Sequence, residues 1–501
     1  MTDNYKEYLK ISKTVDKQKL QKLQAIRELG INPYPYTYDI TIHSNELNEK
    51  YAHLAVEEHT TDVYQVAGRL MFRRKMGKAA FYDINDEFGR IQIYLQKPEL
   101  TELENSLLSN LDIGDFIGVK GFVFKTKTGE VSIHCQEIVL LSKSIAPMPE
   151  KFHGLSDLEA RYRQRFIDFA MNPEVKDVFR KRFTIINEVR KFLIEKGFLE
   201  FETPMLQPIY GGAAAEPFTT HYNDLDMTTY LRISDELYLK RLIAGGFEKV
   251  FEISKDFRNE ALDNRHSPEF TMIEWYEAYT DYNYQMTQVE TMIESIVKKI
   301  NNGSTVVNFR GMEIDYKAPW KRLSVYDALR EYAKVDPLTI TKEEIIEELK
   351  KYTAEIETQK SRGELLAQLF EETTEDKLIQ PTFIINHPVE ISPLTKKHRT
   401  EEGVVERFEL YVGKIEIANC YSELNDPIDQ GTRLHEQELH REFDKEAQPM
   451  DRNFLHAVEF GLPPMGGVGI GIDRLIMILT GTDAIRDVIA FPIMKPRKED
   501  L

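Results

Sequence analysis

The chain has 501 residues, which is too many for a single hydrophobic core and predicts two or three domains. Hydrophobic residues make up 42% and charged residues 30% of it, and no apolar run approaches the ~20 residues of a membrane span, as is typical of a soluble globular protein. A formal net charge of −18 excludes a protein that is basic all over, so any contact with nucleic acid must come from local basic patches.

The cysteines and the first residues indicate the compartment. Cys135 and Cys420 lie far apart in the chain, which predicts neither a disulfide framework nor a cysteine-based zinc site. The start, MTDNYKEYLK, is polar and lacks the apolar core of a signal peptide. We therefore expect a cytoplasmic protein that makes no membrane contact.

Residues 1–60 are predicted to form an N-terminal helix followed by a connector. Leu20, Leu23 and Ile26 recur at helical spacing, and Gly30 is a typical helix end. The last part of the segment is acidic and has no clear periodicity, which favours a weakly structured connector.

Strict alternation of apolar and polar residues within 61–146 predicts a series of short strands. In the first of them, Tyr64, Val66, Leu70 and Phe72 are expected to share the inner side. Short strands with glycines at the bends are typical of a small closed barrel of the OB type, whose open face commonly binds single-stranded nucleic acid.

The same alternation places Arg69, Phe81 and Gln92 on the outer side of the barrel. An aromatic ring beside an amide and a guanidinium favours the binding of a nucleic acid base, because every base can stack on an aromatic face. A single exposed Phe is also ordinary on a protein surface, so this pattern leaves both interpretations open.

Residues 147–501 are predicted to form the second domain, which begins at the proline-marked hinge IAPMPEKFHGL. A helix over 174–196 ends at Gly197, and a strand closed by Pro204 follows. Residues 320–375 are helical and acidic in character and are predicted to form an insertion.

Two local features precede the central part of this domain. In GGAAAEPF, Gly211 and Gly212 allow the backbone to approach a ligand closely. Further along, a strand enters a helix with Ser234 and Asp235 as candidate caps and Glu236 in the first turn.

The segment FRNEALDNRHSPEFTMIEWY, residues 257–276, is predicted to be an antiparallel hairpin with a polar loop. Side chains two apart on a strand share a face, so Phe270, Met272, Glu274 and Tyr276 are expected to point the same way. Binding a triphosphate and stacking a purine require an arginine, an aromatic ring and carboxylates over one sheet face. A surface hairpin with charged edges is the alternative.

Two blocks near the C-terminus carry further candidate ligands. In RFELYVGKIEIANCYSELND, Glu409 and Glu416 are paired carboxylates that suit Mg²⁺, and alternation puts Asn419, Tyr421 and Glu423 on one face. GGVGIGIDRLIMIL reads as a glycine-rich strand entering a helix. It does not fit the dinucleotide pattern G-x-G-x-x-G, because an arginine stands where the third glycine is needed.

The charges of these blocks indicate the substrate. Arg258 and Arg474 supply positive charge for phosphates, and Phe270 with Arg474 is predicted to sandwich a purine. Glu236, Glu274 and Glu423 are not needed for that purpose. Several carboxylates in one pocket repel an anionic substrate side chain and favour a cationic one.

At these residues the chain resembles the class II aminoacyl-tRNA synthetases, and among them the lysyl-tRNA synthetase family. The helix over 174–196 and its strand resemble motif 1 of that class, FRNE with RHSPEFTMIEWY resembles motif 2, and GIGIDR resembles motif 3. GGA, ELYLK and SELND match the lysine enzymes in particular, and RRKMGKAAFYDI with KTKTGEVSIHC resembles their anticodon-binding barrel. The resemblance covers nearly the whole chain from about Leu20 onward.

The resemblance implies an α+β fold, with an N-terminal OB-type barrel followed by a class II catalytic domain, an antiparallel sheet flanked by helices. It implies lysine, ATP and tRNA(Lys) as substrates, Mg²⁺ as cofactor, and a homodimer built through motif 1. It also implies a two-step reaction without a protein nucleophile: lysyl-adenylate and pyrophosphate form first, and lysine then passes to the terminal ribose of tRNA.

Site residues are carried over by the same resemblance. Those implied for lysine are Gly212, Glu236, Glu274, Tyr276, Asn419, Tyr421 and Glu423. Those implied for ATP are Arg258, Glu260, His266, Phe270 and Arg474, of which Arg258 and Arg474 are also catalytic. Glu409 and Glu416 are implied for Mg²⁺, and Arg69, Phe81, Gln92 and Glu137 for anticodon bases. Two positions depart from the family pattern: Glu216 stands where GGAxA[R/K]PF has a basic residue, and Tyr421 where Phe is frequent.

Three alternatives remain beside a lysine–tRNA ligase. An aspartate or asparagine ligase of the same subclass shares the barrel and the core, but an aspartate enzyme needs a basic residue facing the substrate side chain. A relative that lysylates a protein lacks the barrel. A non-catalytic RNA-binding factor has no need of both arginines and both metal carboxylates.

Overall fold

The structure, a computed structural model, describes residues 3–149, 157–440 and 448–497. The chain divides into two units, Met1–Leu158 and Glu159–Leu501.

The first unit is built around a five-stranded barrel. Its helices are α1 (Asp3–Ile11), α2 (Lys17–Glu28), α3 (Ser44–Lys50) and α4 (Glu102–Asn110). Its strands are β1 (His59–Met76), β2 (Ala79–Asn85), β3 (Arg90–Gln96), β4 (Phe116–Lys125) and β5 (Val131–Ser142). The strand order β1-β2-β3-β5-β4 closes on itself because β1 pairs with both β2 and β4. The alternating residues Ile84, Ile91, Ile93 and Leu95 fill the interior, which confirms the OB-type barrel.

Three predictions for this unit need correction. The N-terminal segment is two helices rather than one, because Asp16 begins α2 by accepting hydrogen bonds from the amides of Gln18 and Lys19. The predicted connector contains α3, whose Leu47 is buried. Phe72 does not share the inner side with Leu70, because a β-bulge between them turns Phe72 outward, where it is 41% exposed.

The second unit is an α+β domain. Its helices are α5 (Leu158–Arg163), α6 (Arg165–Met171), α7 (Pro173–Glu195), α8 (Glu236–Ala244), α9 (Tyr282–Ile300), α10 (Val325–Ala328), α11 (Lys342–Leu349), α12 (Arg362–Thr374), α13 (Pro427–His440), α14 (Arg452–Phe460) and α15 (Ile472–Thr480). Its strands are β6 (Leu199–Glu200), β7 (Leu206–Gln207), β8 (Thr219–Tyr222), β9 (Met227–Leu231), β10 (Lys249–Phe257), β11 (Glu269–Ala278), β12 (Val306–Phe309), β13 (Met312–Asp315), β14 (Lys321–Ser324), β15 (Thr382–Ile385), β16 (Arg407–Val412), β17 (Ile415–Ser422) and β18 (Met465–Gly471).

An eight-stranded sheet with the order β14-β15-β16-β17-β18-β11-β10-β6 forms the centre of this unit. Its six inner strands are antiparallel, as predicted, whereas the edge strands β14 and β6 pair in parallel with their neighbours. The strand predicted to end at Pro204 is short, since only Leu199 and Glu200 pair with β10.

Helices cover one face of the sheet with apolar side chains. Val189 of α7, Met292 of α9 and Leu475 of α15 belong to one core together with Ile273 and Val468 of the strands. The predicted insertion has an apolar cluster of its own on α10 to α12, and α11 and α12 each begin with a capping box. Among the described residues, no helix combines the length and the apolar character needed to cross a bilayer.

Candidate active site

The register of the central sheet brings the predicted site residues onto one face. Strands β16, β17, β18 and β11 lie side by side, and one row of directly opposed residues across them is Glu409, Asn419, Gly469 and Glu274. A neighbouring row is Arg407, Tyr421, Gly467 and Tyr276. Residues opposed in this way present their side chains on the same side of a sheet. Segments distant in sequence therefore meet because of strand order.

A cavity of about 670 Å³ opens over this face. It is lined by every residue predicted for lysine, ATP and Mg²⁺, namely Gly212, Glu236, Glu274, Tyr276, Asn419, Tyr421, Glu423, Arg258, Glu260, His266, Phe270, Arg474, Glu409 and Glu416. Their individual roles stay predictions, but their convergence in one cavity is a property of the fold.

Glycines of the central strand β18 leave the space in which two of these side chains lie. A Cβ atom at Gly467 would stand 2.2 Å from Oε1 of Glu423 and 2.3 Å from the ring of Tyr276. Only a residue without a side chain fits there. The glycine-rich block thus has a packing role that the sequence did not indicate.

Gly212 is constrained by its backbone as well as by its surroundings. Its φ of +91° lies in a region that residues with a side chain rarely adopt, and an added Cβ would lie 2.9 Å from Oγ of Ser234. Its amide donates to Oε1 of Gln448 at 2.8 Å. Gln448 also lines the cavity, and the sequence analysis missed it.

Glu274 is held by two hydroxyl groups. Ser234 Oγ donates to its Oε1 at 2.8 Å, and the Tyr276 hydroxyl donates to its Oε2 at 3.1 Å. Burial, followed by the charges of Asp235 and Glu236, raises the pKa of Glu274 to about 8. Ser234 also accepts the amide of Glu236 at 3.1 Å, whereas Asp235, at the predicted cap position of α8, makes no capping bond with its side chain.

A further acidic group lies beside Glu274 and was also missed. Asp235, Asp256 and Glu274 are all buried, and each offers a carboxylate oxygen within 4.8 Å of the others. The buried guanidinium of Arg232 pairs with Asp235 at 3.0 Å and with Asp256 at 3.3 Å. Burial, and then the charge of Glu274, raises the pKa of Asp256 to about 7.

Glu236 and Glu423 share a buried lysine. The Nζ atom of Lys240 lies 2.5 Å from Oε1 of Glu236, one helical turn earlier on α8, and also contacts Oε2 of Glu423. Burial raises the pKa of Glu423 to about 8 and outweighs the opposing effect of Lys240. Neither carboxylate oxygen of Glu423 accepts a hydrogen bond from any described residue, although the side chain has no solvent exposure, and Oε2 alone is in ion-pair contact with Lys240. A buried carboxylate oxygen in that state can accept a hydrogen bond from a water molecule or from a ligand.

Arginines and aromatic rings line another part of the cavity. The guanidinium of Arg258 lies 5.2 Å from the centre of the Phe270 ring, which is cation–π distance. Arg474 donates to the backbone oxygen of Glu416 at 2.9 Å, and its Nη2 lies 2.9 Å from Nε2 of His266. His266 is in turn held by Asp263, at 2.8 Å from its Nδ1.

The two carboxylates predicted for a metal fit that purpose. The side chains of Glu409 and Glu416 are 14% and 36% exposed, so both open to the cavity. Desolvation by the surrounding protein, and then the charge of Glu409, raises the pKa of Glu416. A hard divalent cation relieves such a repulsion, and Mg²⁺ commonly uses one or two carboxylates together with substrate phosphates.

Arg407 connects the two groups of ligands and was missed by the sequence analysis. Its Nη2 donates to Oε1 of Glu409 at 2.6 Å, its Nε donates to Oδ1 of Asn419 at 3.2 Å, and its guanidinium lies 5.5 Å from the Tyr421 ring. The charge pairing with Glu409 is plain only in the folded chain. In the sequence, Arg407 is one of many arginines.

The barrel residues predicted for RNA are only partly brought together. Phe81 packs 4.9 Å from the ring of Tyr94, and Gln92 donates to Glu130, which directly precedes β5, and accepts from Ser132 of β5. Arg69 lies further along the barrel, opposite Asn85, and its guanidinium lies over Phe116 at 4.2 Å.

Two other residues near this face bear on the prediction. The arginine directly opposite Phe81 is Arg74, which the sequence analysis did not select and which is exposed. Glu137 is exposed on β5. The described barrel thus places Phe81 beside a different arginine from the predicted one.

The antiparallel sheet, its arginine-bearing hairpin and the glycine-rich strand entering α15 together define a class II synthetase catalytic unit. Residues 157–495 match the family described as tRNA synthetases class II (D, K and N). Residues 64–141 match the family of OB-fold nucleic acid binding domains. The chain belongs to the class II tRNA synthetases.

Curated relatives narrow this class. The chain is 50% identical to the lysine–tRNA ligase of Methanoculleus marisnigri, over 96% of this chain and 95% of the relative. It is 51% identical to the lysine–tRNA ligase of Clostridium novyi, over 96% and 94%. The lysine–tRNA ligase of Syntrophomonas wolfei is 47% identical over 97% of both chains.

Proposed function

We propose that this chain is a lysine–tRNA ligase, which activates lysine with ATP to lysyl-adenylate and pyrophosphate and then transfers lysine to the 3′ end of tRNA(Lys). The observation that carries the proposal is Oε1 of Glu423, a fully buried carboxylate oxygen with no partner among the described residues, in a cavity that also offers arginines for a nucleotide. An ammonium group supplies the donor that this oxygen lacks.

Lysine binding is assigned to the wall of the cavity that carries the buried acids. Glu423, beside the Tyr276 ring, meets the side-chain ammonium, and Glu236 meets the α-amine. Glu274 adds a third carboxyl group to this wall. Gly212, Asn419 and Tyr421 complete the wall, and all of these residues line the same cavity.

ATP is assigned to the part of the cavity with the arginines. Arg258 stands over Phe270, so it can meet the α-phosphate and the lysine carboxylate while the ring supports the purine. Arg474 and His266 lie in hydrogen-bond contact and face the same space, and Glu260 lies at its exposed margin. Glu409 and Glu416 would hold Mg²⁺, which when bound would neutralise phosphate charge.

The chemistry needs alignment rather than a protein nucleophile. The lysine carboxylate attacks the α-phosphorus of ATP and pyrophosphate leaves. The terminal ribose hydroxyl of tRNA then attacks the acyl carbon and AMP leaves. Arg258 and Arg474 stabilise the charge that develops on the phosphate, and the acids hold the amino acid in line.

The barrel is assigned to the anticodon of tRNA. Phe81 stacks a base, Gln92 hydrogen-bonds one, and Arg69 and Glu137 are further candidates. The net charge of −18 is consistent with an RNA contact confined to such a face.

A homodimer and a cytoplasmic location belong to the same proposal. Along α6, α7 and β6, large apolar side chains are exposed: Phe166 (67%), Phe183 (68%), Ile194 (52%) and Leu199 (51%). Such side chains favour burial against another subunit. Both cysteines are free buried thiols, as expected in a reducing compartment.

Aspartate or asparagine ligation is the second candidate, because the matched family covers the D, K and N enzymes. The acid-lined wall argues against aspartate. The buried lysine next to this wall, Lys240, already pairs with Glu236 and Glu423 and does not line the cavity, so it is not placed to bind an aspartate side chain.

Amino-acid-dependent exchange of pyrophosphate into ATP tests the assignment. The purified chain is assayed with each of the twenty amino acids and Mg²⁺, without tRNA. Exchange that requires lysine is the expected result. Exchange that requires aspartate or asparagine favours the second candidate, and a chain that supports no exchange at all contradicts both.

A further inference from the structure

The buried Lys240 has no part in the reaction as described above. It lies on α8 with no solvent exposure, and its Nζ contacts Glu236 and Glu423. Around it lie the rings of Tyr276 and Phe454, whose centres are 5.9 Å and 5.8 Å from Nζ. Among the described residues, no other charged group is in ion-pair contact with Lys240.

We propose that Lys240 is a positioning residue for the amino acid, whose ammonium holds the carboxyl groups of Glu236 and Glu423 in place and favours their ionised forms, so that the charge of the lysine-bound pocket matches that of lysine. The proposal rests on the lysine specificity proposed above. With Glu236, Glu274 and Glu423 ionised, the single ammonium of Lys240 leaves two negative charges. The substrate brings two ammonium groups, one on its α-carbon and one on its side chain.

Glu423 has two carboxylate oxygens, so Lys240 can contact one of them without competing with the substrate ammonium for the other. Lys240 contacts Oε2, whereas Oε1 has no partner in the described part of the chain and lies next to the space kept open by Gly467. The internal ammonium thus holds one oxygen and turns the other toward the ligand. Its position one turn from Glu236 on the same helix anchors both carboxylates to α8.

Loss of the internal charge has a definite consequence. Two carboxylates held close together in apolar surroundings do not both ionise without a nearby cation, so one takes up a proton. A protonated carboxyl is a poor acceptor for an ammonium group. Burial already raises the pKa of Glu423 to about 8 with Lys240 present, and loss of the cation raises it further, so lysine must displace a proton that is held more tightly. ATP, which is assigned to the part of the cavity with Arg258 and Arg474, is not affected by this change.

The test is pyrophosphate exchange by full-length Lys240→Met, with KM measured for lysine and for ATP separately. We expect KM for lysine to rise at least about thirtyfold at near-neutral pH, while KM for ATP changes by no more than about twofold. The defect should shrink between about pH 7 and about pH 9, because the carboxylates then ionise without help. A packing defect alone does not produce this pH profile.

Two further variants keep the result interpretable. Lys249→Met removes a lysine that pairs with the buried Glu277 at 2.7 Å outside the cavity, and it should leave both KM values close to those of the wild type. Lys240→Gln keeps donors for both carboxylates without the charge and should share the lysine defect, even if Lys240→Met folds poorly.

The proposal is overturned if either Lys240 variant binds lysine with a KM within about threefold of the wild type, or if KM for lysine and for ATP rise together. The wild-type chain reports on the proposed function independently. If it shows no lysine-dependent exchange, the specificity assignment itself is wrong.

Discussion

One cavity holds two groups of glutamates whose surroundings differ. The side chains of Glu236 and Glu423 are 5% and 0% exposed and pair with the ammonium of Lys240. Those of Glu409 and Glu416 are 14% and 36% exposed and lie beside arginines. The same residue type therefore serves two purposes. Buried acids that share one internal cation suit a positively charged ligand. Acids that open to the cavity beside arginines suit a metal ion that also binds phosphates.

The largest expected effect comes from removing the charge of the first group. Glu423→Gln leaves the size of the side chain almost unchanged but takes away the negative charge that pairs with the substrate ammonium. We expect kcat/KM for lysine in pyrophosphate exchange to fall about a thousandfold, or about 4 kcal/mol. ATP binding, measured by calorimetry, should persist. Equal loss of lysine and ATP binding would mean that the two groups of glutamates do not act separately.

Closing the space beside Glu423 should have the next largest effect. Gly467→Ala puts a Cβ atom 2.2 Å from Oε1 of Glu423 on a central strand, where the backbone cannot move easily. We expect lysine activation to fall about a hundredfold with ATP binding retained. Gly431→Ala on α13 is the matched control, since the nearest atom to its added Cβ is 3.5 Å away on Leu455. A fully active Gly467→Ala enzyme would contradict the proposed position of the ammonium.

The second group is tested through its metal. Glu416→Gln should raise the Mg²⁺ concentration for half-maximal exchange about ten- to a hundredfold, while leaving the lysine-induced thermal shift in place without ATP. Glu195→Gln, at an exposed ion pair on α7, is the control for a lost surface carboxylate. An unchanged Mg²⁺ requirement would remove Glu416 from the proposed ligands.

The smallest effect expected is one of pH on the first group alone. The pKa of Glu423 is raised to about 8, chiefly by burial, so its carboxyl holds a proton below that pH when no ligand is bound. Lysine must displace that proton, so its affinity should fall about tenfold from pH 8 to pH 7. Calorimetry in buffers of different ionisation enthalpy counts the protons.

Thermal unfolding gives the same prediction a second readout. A raised carboxyl pKa stabilises the folded, ligand-free chain at low pH, and this contribution is lost as pH rises through about 8. Lysine reverses the loss by pairing with the ionised groups. The increase in Tm on adding lysine should therefore be larger at about pH 8.5 than at about pH 6.5. A lysine-induced increase in Tm that does not depend on pH would contradict the assignment of lysine to the buried carboxyl groups.

The local alternation of apolar and polar residues was sufficient to predict which side chains share one face of a strand. Alternation correctly placed Glu274 and Tyr276 together on β11, and Asn419 and Tyr421 together on β17. It failed for Phe72, because a bulge changes the register by one residue and reverses every side chain beyond it. The N-terminal helix was predicted as continuous because spacing alone does not reveal that Asp16 caps a new start.

The sequence by itself determined the class of protein, the order of its two domains and the residue types available for each ligand, because these depend on motifs and on periods of two or 3.6 residues. Only the tertiary structure decided which carboxylates became paired. Lys240 meets Glu236 through one turn of α8, but it meets Glu423 because strand order and helix packing bring distant segments together. Burial then sets the charge state of each group, and burial is a property of the whole fold.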